Sequence, residues 1–485
     1  MSNDKRVADL LETGKITVGQ STDGTYLCSI QSNDNKVAYK IYTKKFELAI
    51  KSFWKKRYQE ILSDKEVQEI LNLIEIECFD SEKKIKLNHR IYAERRKLIY
   101  QLNTDTITSV RIKDGECRLI KTPDFLFDGG ADFKNQVEPD LTVPAEELLP
   151  YIRKHFNVKN EDDVILLTIL IVSSMMGMGF NHPVILIQGE KGSGKSECLK
   201  KIEMIVDPKA SGICTYTNSK EAIVLRLSNS YFTCFDNVSY IPKAISDLFC
   251  SAVTGACDTT RKLYTDTEER ILNLHSIIAM TSINGVARSA DLIDRSCLIT
   301  LNRFKKSEIK TESNIMTSFQ KDLPSLLGAI FNTITIVLAD RKKVKAREKI
   351  RLADFHEKAI KIGRALGIEE ERITDILFRN RMELSLSILE SSSIAICMKR
   401  LMKDTLEYTD TPTNCLNQLR GVAKQEGIDI STLPKDAARL TKALILIKDE
   451  LNSVYGIDFN QKRGKDRLYV IKNNNLEANE YDDEE

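Results

Sequence analysis

The chain has 485 residues, of which 42% are hydrophobic and 29% are charged, a balance typical of soluble proteins with two or three folded domains. The 72 Lys and Arg residues nearly balance the 70 Asp and Glu residues, so the formal net charge of +2 indicates no particular partner. Eleven scattered cysteines without any C-x-x-C spacing argue against a disulfide framework and against a zinc site. We therefore expect a cytoplasmic protein with reduced thiols.

Residues 1–140 mix strand-like and helix-like stretches and are expected to form an α+β N-terminal domain. TYLCSI and KVAYKIY flank the polar turn QSNDN, which is typical of a β-hairpin. Apolar residues then recur at helical spacing in FELAIKSFWKKRYQEIL and EVQEILNLIEIECF. Shorter strand-like pieces follow, such as RIYAERRKLIYQL.

The apolar run at 164–180, VILLTILIVSSMMGMGF, raises the question of a membrane span. It is shorter than the ~20 residues that a span needs. It also contains polar serines and glycines, and two aspartates precede it. We interpret it as a buried core helix and expect no membrane contact.

The sequence GEKGSGKS at 189–196 fits the P-loop pattern G-x-x-x-x-G-K-[ST] without deviation. The apolar run PVILIQ precedes it and a segment with helical spacing follows, as the motif requires. In a P-loop, backbone N–H groups surround phosphate oxygens, the Lys reaches the β- and γ-phosphates, and the Ser binds Mg²⁺. The alternative is a glycine turn followed by an incidental Lys-Ser. The predicted nucleotide-binding residues are Gly189, Glu190, Lys191, Gly192, Ser193, Gly194, Lys195, Ser196 and Glu197.

A second motif, SYFTCFDNVSY, predicts a short strand at 231–235 that carries Asp236 at its carboxyl end. A Walker B aspartate holds the metal shell from this position, so Ser196 and Asp236 are the predicted Mg²⁺ residues. Many ATPases with a Walker B aspartate have a glutamate directly after it, which polarises the attacking water, but this chain has Asn237 there. Asn237 is kept as a catalytic candidate, and the general base is unassigned. The alternative for Asp236 is an ordinary strand-end aspartate.

A third strand, SIIAMTSING, ends at Asn284. In additional-strand ATPases a polar residue at this place, called sensor 1, positions the attacking water, whereas the alternative is an Asn-Gly turn. Arg295 follows in the triplet D-R-S and is the candidate arginine finger, which stabilises transition-state charge in a neighbouring subunit. Arg288 is a weaker candidate. The alternative is a helix-end arginine paired with Asp291 or Asp294.

The stretch TGACDTTRKLYTDTEER at 254–270 lies between the strand that carries the Walker B aspartate and the sensor 1 strand, and it predicts a β-hairpin. Arg261 and Lys262 are suited to neutralise nucleic-acid phosphates, and Tyr264 is suited to stack or pack at the base of the hairpin. Asp266, Glu268 and Glu269 oppose this role because they would repel phosphates if they formed the tip of the hairpin. A solvated hairpin of mixed charge is the alternative.

The rest of the chain is divided by composition. Residues 141–303 carry the chemical motifs, residues 304–408 are predicted to be helical, and 474–485 are predicted to form an acidic tail. The predicted helical region includes a basic run, RKKVKAREKIR at 341–351, for which a solvated helix face is one explanation.

Residues 409–473 predict helix, helix and a two-stranded tail, which is typical of a winged-helix domain. The helices are NCLNQLRGVAKQ and PKDAARLTKALILIKDELNSVY, and the tail is IDFNQKRGKDRLYVIK. Its basic wing either contacts duplex DNA or packs against the ATPase core. The predicted wing residues are Lys462, Arg463, Lys465 and Arg467.

The order P-loop, Walker B aspartate, sensor 1 and arginine finger fits an AAA+ ring ATPase and not a small-molecule kinase. The chain resembles the AAA+ replication ATPases of phages and chromosomal mobile elements, which include MCM-like and superfamily 3-like helicases of cassette elements. The resemblance is carried by CFDNVSYIPKAISDLFCSAVTG, TRKLYTDTEE, ING and DLIDRS, and it continues into RLADFHEKAIKIGRALG at 351–367. It covers most of the chain and is densest in the core.

The resemblance implies an α/β fold with an AAA+ P-loop ATPase core, an α+β N-terminal region and a C-terminal winged-helix domain. It implies a homo-oligomer, a hexameric ring that hydrolyses ATP with Mg²⁺ and translocates on single-stranded DNA in its pore. The 254–270 hairpin then points into the pore, and the winged helix is available to hold duplex DNA. Arg351 is the candidate for sensor 2, an arginine that contacts nucleotide. Element-encoded replication proteins are the implied partners.

Two other functions fit the same motifs. A nucleotide-gated initiator that binds DNA without unwinding it is credible because Asn237 replaces the usual glutamate. A AAA+ ATPase that loads or remodels a protein partner predicts ATP hydrolysis that is indifferent to DNA.

Overall fold

The structure is a computed structural model, and it describes residues 2–22, 24–32, 35–81, 84–104, 108–123, 126–127, 132–255, 257–261, 269–274, 276–282, 289–304, 311–345, 348–462 and 467–476. In this part of the chain, helices and several sheets form a mixed α/β fold around three large hydrophobic cores. The domain boundaries expected from the sequence stay predictions.

The first core belongs to an N-terminal unit of three helices and a small sheet. Its elements are α1 (Asn3–Glu12), β1 (Ile16–Ser21), β2 (Tyr26–Ser32), β3 (Asn35–Lys40), α2 (Lys44–Tyr58), α3 (Asp64–Asp80) and β4 (Lys84–Ile85). The strand order is β3-β2-β1-β4, and only β1 and β4 pair in parallel. Phe46 and Trp54 of α2 are fully buried because the apolar residues of this helix recur on one face. The predicted hairpin and both predicted helices are confirmed.

A four-stranded antiparallel meander follows, and its inner face joins the second, central core. The strands are β5 (Ile91–Glu94), β6 (Lys97–Gln101), β7 (Thr108–Lys113) and β8 (Glu116–Lys121), in that spatial order. Alternate residues such as Leu98, Tyr100, Val110 and Ile112 are buried in the same core as the P-loop strand.

The central core surrounds a five-stranded parallel sheet. Its elements are α4 (Leu148–His155), α5 (Glu161–Ser174), β9 (Val184–Gln188), α6 (Lys195–Val206), β10 (Cys214–Thr215), α7 (Lys220–Asn229), β11 (Phe232–Asp236), α8 (Lys243–Val253), β12 (Cys257–Arg261), β13 (Glu269–Asn273), β14 (Ile277–Ser282), α9 (Ala290–Ile293) and β15 (Ser296–Thr300). The strand order is β10-β11-β14-β9-β15. Strands β9, β11 and β14 are buried along nearly their whole length because both faces of a parallel sheet are covered.

Two predictions about this region are confirmed. Every residue from Val164 to Ser174 in α5 is buried, so the apolar run is a core helix up to Ser174, and residues 175–180 lie beyond the helix. Strands β12 and β13 form an antiparallel hairpin with Arg261 opposite Glu269, separate from the parallel sheet.

Four helices then lead away from the sheet. They are α10 (Glu312–Ala339), α11 (Ala353–Ala365), α12 (Glu370–Ser391) and α13 (Ser393–Leu401). Among the described helices, α10 is long and apolar enough to cross a membrane by length and composition, and more than half of its apolar window is buried inside the protein. The described part of the basic run at 341–351 forms no helix, so the explanation by a solvated helix face is wrong.

The third core belongs to the C-terminal unit. Its elements are β16 (Glu407–Asp410), α14 (Pro412–Gln425), α15 (Ala437–Leu446), α16 (Lys448–Tyr455), β17 (Ile457–Lys462) and β18 (Leu468–Asn473). The three strands form an antiparallel sheet in the order β16-β18-β17. The sequence predicted one helix where α15 and α16 are separate, with a break at Ile447, whose backbone leaves the helical region.

A buried ion pair connects the meander to the central sheet. The Arg90 side chain is 0% exposed and donates to Asp207 at 2.8 Å and to the carbonyl oxygens of Gln101, Lys134 and Pro208. Asp207 follows α6 directly, and its other carboxylate oxygen accepts the backbone N–H of Phe232 at 3.3 Å, where β11 begins. One arginine therefore holds the end of α6, the start of β11 and the meander together.

Replacing Arg90 with leucine should lower the free energy of unfolding by about 3–5 kcal/mol, because Asp207 would remain buried without its partner. Arg379→Ala is the matched control, since Arg379 pairs with Asp162 at the surface and should contribute less than about 1 kcal/mol. Chemical denaturation measures both effects. Equal losses in the two variants would contradict the assignment.

A buried carboxyl on α6 should make the stability depend on pH. Burial raises the pKa of Glu203 to about 7, and one of its oxygens has no hydrogen-bond partner among the described residues. The folded state therefore holds a proton that the unfolded chain releases near its ordinary value of 4.5, and stability falls as the pH rises from about 4.5 to 7.

We expect Glu203→Gln to raise the free energy of unfolding by about 2–3 kcal/mol at pH 8 relative to wild type, and by less than about 1 kcal/mol at pH 5. Denaturant titrations at the two pH values measure the difference. The exposed glutamate Glu69, changed to Gln, is the control. A gain that is the same at both pH values would contradict a raised pKa.

Candidate nucleotide-binding site

The predicted P-loop connects the carboxyl end of β9 to the N-terminus of α6. Gly192 and Gly194 have positive φ angles of 83° and 81°, a conformation that favours glycine, and α6 begins at Lys195. The ammonium group of Lys195 donates to the carbonyl oxygens of Gly189 at 2.7 Å and Glu190 at 2.9 Å. Burial lowers the pKa of Lys195, and Asp236 opposes this shift.

The loop has the features of a phosphate cradle. A Cβ atom on Gly189 would lie 2.5 Å from the Ser193 hydroxyl oxygen and 3.1 Å from the Leu301 carbonyl oxygen. The Ser193 hydroxyl is buried and has no hydrogen-bond partner among the described residues. The helix N-terminus adds partial positive charge and free N–H groups. These residues therefore fit a bound phosphate.

The Asp236 carboxylate accepts hydrogen bonds from hydroxyl groups on two neighbouring elements. The Ser196 hydroxyl lies 3.0 Å and 2.8 Å from its two carboxylate oxygens, and the Thr281 hydroxyl on β14 donates to it at 2.5 Å. Oxygen ligands of this kind are those that Mg²⁺ prefers. The arrangement suits a divalent cation between Ser196 and Asp236.

Asn237 has a left-handed backbone conformation with φ 57°, which asparagine tolerates better than most residues. Its N–H donates to the Thr281 hydroxyl oxygen at 2.8 Å. The Thr281 hydroxyl thus accepts from Asn237 and donates to Asp236. This relay fixes the turn after β11 and leaves the exposed Asn237 side chain at the edge of the cleft.

The cleft over the P-loop has a volume of about 1090 Å³ and is closed on one side by the N-terminus of α10. Glu312, at that end of α10, pairs with Lys200 of α6 at 3.4 Å. A second cavity of about 650 Å³ adjoins the P-loop and is lined by Asn157, Val158 and Phe304, among others. Phe304 lines both cavities, and its ring would lie 3.0 Å from a Cβ atom on Gly194.

The predicted arginines do not lie in this cleft. Arg295 forms an ion pair with Asp291 and donates to its carbonyl oxygen at 3.0 Å. Arg351 lies 2.9 Å from Asp291 and 3.5 Å from Asp294, and Arg381 of α12 pairs with Asp294 at 2.8 Å. We call these three arginines and two aspartates the arginine cluster. The pairing of Arg295 with Asp291 is the alternative that the sequence left open.

Strand register gives the distance between the cluster and the P-loop. Ser296 lies opposite Val184 and Thr300 lies opposite Gln188, so Arg295 precedes the amino end of β15 while the P-loop follows the carboxyl end of β9. At ~3.3 Å per residue, about 20 Å separates the two levels. Neither Arg295 nor Arg351 reaches the phosphate cradle of its own chain.

Several predicted site residues fall outside the part of the chain that the structure describes. Asn284 and Arg288 lie outside the described residues, as do Lys262 and Tyr264 of the hairpin and two residues of the wing, Arg463 and Lys465. Of the other wing residues, Lys462 is exposed, and exposed Arg467 donates to the Gln461 side-chain oxygen at 3.1 Å.

Sequence reasoning missed Thr281, Phe304, Glu312 and Arg381. Thr281 was visible as a polar residue inside an otherwise apolar strand, where a hydroxyl needs a partner. The other three are ordinary residue types, and only long-range packing brings them to these places.

We expect Thr281→Val to weaken Mg²⁺-nucleotide binding about tenfold, because Asp236 would lose a hydrogen bond to a charged group. Thr281→Ser should restore binding. Thr233→Val is the matched control, since the Thr233 hydroxyl on β11 contacts Ser276 at 2.7 Å instead. Titration with a fluorescent nucleotide at several Mg²⁺ concentrations measures the effect. An unchanged Mg²⁺ dependence would contradict the positioning role.

The central part of the chain is similar to a known protein family. Residues 153–373, less than half of the chain, match the model of a family described as actinomycete integrative conjugative element replication protein. No curated protein matches the chain significantly.

Solved structures of low similarity also match. One, titled "SCCmec type IV Cch - active helicase", is 12% identical, covers 96% of this chain and 94% of its own, and has a TM-score of 0.47. Another, titled "The A form apo structure of NrS-1 C terminal region-CTR", is 10% identical over 96% of this chain and 98% of its own, with a TM-score of 0.38. These likenesses establish no activity for this chain. Its central part is similar to replication proteins of actinomycete conjugative elements.

Proposed function

We propose that this chain is an ATP-dependent DNA helicase or translocase, a ring-forming AAA+ ATPase that acts in the replication of a mobile element. The observation that carries the proposal is that the two ends of the parallel sheet hold different groups. One end holds the P-loop, Ser196 and Asp236, and the opposite end holds the arginine cluster. The family match over residues 153–373 supports the setting in replication.

ATP with Mg²⁺ is the proposed ligand of the cleft. Mg²⁺ would be held by Ser196 and Asp236 and would neutralise phosphate charge. Lys195 exchanges its two carbonyl contacts for the β- and γ-phosphates, and the N–H groups of the P-loop bind phosphate oxygens. The cavity beside Phe304 and Asn157 has the size and the mixed polar and apolar lining for the nucleoside.

A second subunit completes the proposed site. The cleft needs a cation against the charge that develops on the γ-phosphate. A head-to-tail contact brings the arginine cluster of one subunit to the cleft of the next, and such contacts close into rings. We assign Arg295 as the finger. Because Arg351 belongs to the same cluster, it would also contact the nucleotide in the cleft of the next subunit and not that of its own chain.

Two parts of the chain are proposed to contact DNA. The hairpin β12–β13 lies in sequence between β11 and β14, and we assign Arg261, Lys262 and Tyr264 to single-stranded DNA in the pore. Helices α14 to α16 with the sheet β16-β18-β17 are assigned as a winged helix, whose basic wing at 462–467 is available to duplex DNA.

One observation favours a second candidate function. Asn237, at the cleft edge next to Asp236, has an amide that orients water and accepts no proton from it. An initiator that binds DNA when nucleotide is bound, with slow hydrolysis, uses the same site without unwinding.

The proposal is tested by ATP hydrolysis and strand displacement on a forked duplex. Lys195→Ala and Arg295→Ala should each lower ATP hydrolysis at least ~100-fold, because each removes charge stabilisation of the transferred phosphoryl group. Mixing the two variants 1:1 should restore activity at about a quarter of the interfaces, where an intact P-loop meets an intact Arg295.

The hairpin variant Arg261→Ala/Lys262→Ala should unwind less than wild type. ATP hydrolysis by wild type without strand displacement on any substrate would refute the helicase proposal and favour the initiator. Absence of recovery in the mixture would refute the shared site.

A further inference from the structure

A strongly basic segment of the chain lies outside both proposed DNA contacts. It comprises residues 341–345, which connect α10 to α11, and we call it the basic segment. Four of its five side chains are exposed cations, and none of the four forms an ion pair with a described acidic residue. They are Arg341, Lys342, Lys343 and Lys345.

The backbone of the basic segment is fixed from the inside by one arginine. Arg364 of α11 donates to the carbonyl oxygens of Lys342 at 3.2 Å and Lys343 at 3.0 Å. The same guanidinium donates to the Asp340 carboxylate at 2.8 Å, and the Lys361 ammonium donates to the Asp340 carbonyl oxygen at 3.1 Å. The segment is therefore held in one conformation although it is not helical.

Three nearby acidic groups are paired within the protein, whereas the exposed Glu348 has no ion pair among the described residues. Asp340 accepts from Arg364 and from the Lys342 N–H, contacts that hold its pKa below the ordinary value against the effect of burial. Glu370 pairs with Arg364 at 2.7 Å, and Glu357 pairs with Lys349 at 2.5 Å. With four exposed cations against the one exposed carboxylate of Glu348, the segment and its chain neighbour keep a net positive charge.

The one apolar residue of the segment reinforces this arrangement. Val344 is partly buried and packs against the central core. Because the backbone is anchored at Val344 and through Arg364, the four cations start from fixed positions on one short stretch of surface. An anion from outside that contacts several of them would relieve their mutual repulsion.

We infer that the basic segment binds the phosphodiester backbone of DNA, at a place distinct from the hairpin β12–β13 and from the C-terminal wing. This inference rests on the proposed action on DNA. A row of anchored cations suits phosphates, which carry one charge per nucleotide and require no base recognition.

The test measures DNA affinity by fluorescence anisotropy as a function of salt, with the full chain and a non-hydrolysable ATP analogue. The variant changes all four cations to Gln. The matched control, Lys5→Gln/Lys65→Gln/Lys321→Gln/Lys403→Gln, removes the same charge from exposed positions elsewhere. Single-stranded and duplex oligonucleotides are compared in separate arms.

We expect the variant to reduce the slope of log affinity against log salt by about 3 for single strands and about 4 for duplex, since each of the four lost phosphate contacts contributes ~0.7 for single strands and ~0.9 for duplex. The arm with the larger change identifies the form of DNA bound. ATP hydrolysis without DNA should stay at the wild-type level.

Unchanged affinity and slope in the variant, with normal DNA binding by wild type, would overturn this inference alone and leave an acidic protein as the partner of the segment. Equal losses in the variant and the control would also overturn it, because the effect would be one of net charge. Wild type without any DNA binding would overturn the proposed function as well.

Discussion

The geometry of the candidate site depends on a buried arginine far from it. Arg90 neutralises Asp207, and Asp207 joins the end of α6 to the start of β11. The other ends of these two elements carry Ser196 and Asp236. Because a helix and a buried strand are stiff, bracing them at one end sets their separation at the other. Without Arg90 the aspartate would be an unpaired buried charge, and the two elements would lose their common anchor.

Elements with a local signature were predictable from the sequence. The P-loop, the core helix α5 and the hairpin β12–β13 each depend on the residues of one short stretch, through glycine conformations, apolar spacing or strand alternation. Arg90 was not predictable, since its partner Asp207 lies 117 positions away and neither residue belongs to a motif. The basic run at 341–351 was misleading for a related reason. Its composition suits a helix surface, but the carbonyl oxygens of Lys342 and Lys343 accept hydrogen bonds from Arg364 of another helix.

The sequence predicted which residues form the candidate site, but not how these residues are arranged in space. Lys195, Ser196 and Asp236 follow from their motifs, and they meet in one cleft. Thr281, the hydroxyl that links Asp236 to the turn at Asn237, follows only from the register of β11 beside β14. The sequence did not indicate at which end of the sheet the arginines lie. The strand pairing shows this, and it separates the arginine cluster from the cleft of its own chain.

Helix α10 connects places that perform different tasks. It begins at Glu312 beside the nucleotide cleft and continues for 28 residues, about 42 Å, to the start of the basic segment. Pro324 lies inside this helix, and its residues from Phe319 to Val337 contribute many side chains to the central core, so a shift of the helix also involves that core. The contact between Lys200 and Glu312 across the cleft therefore belongs to the same helix that ends at the basic segment, and a nucleotide that changed this contact would act on the element from which the segment begins.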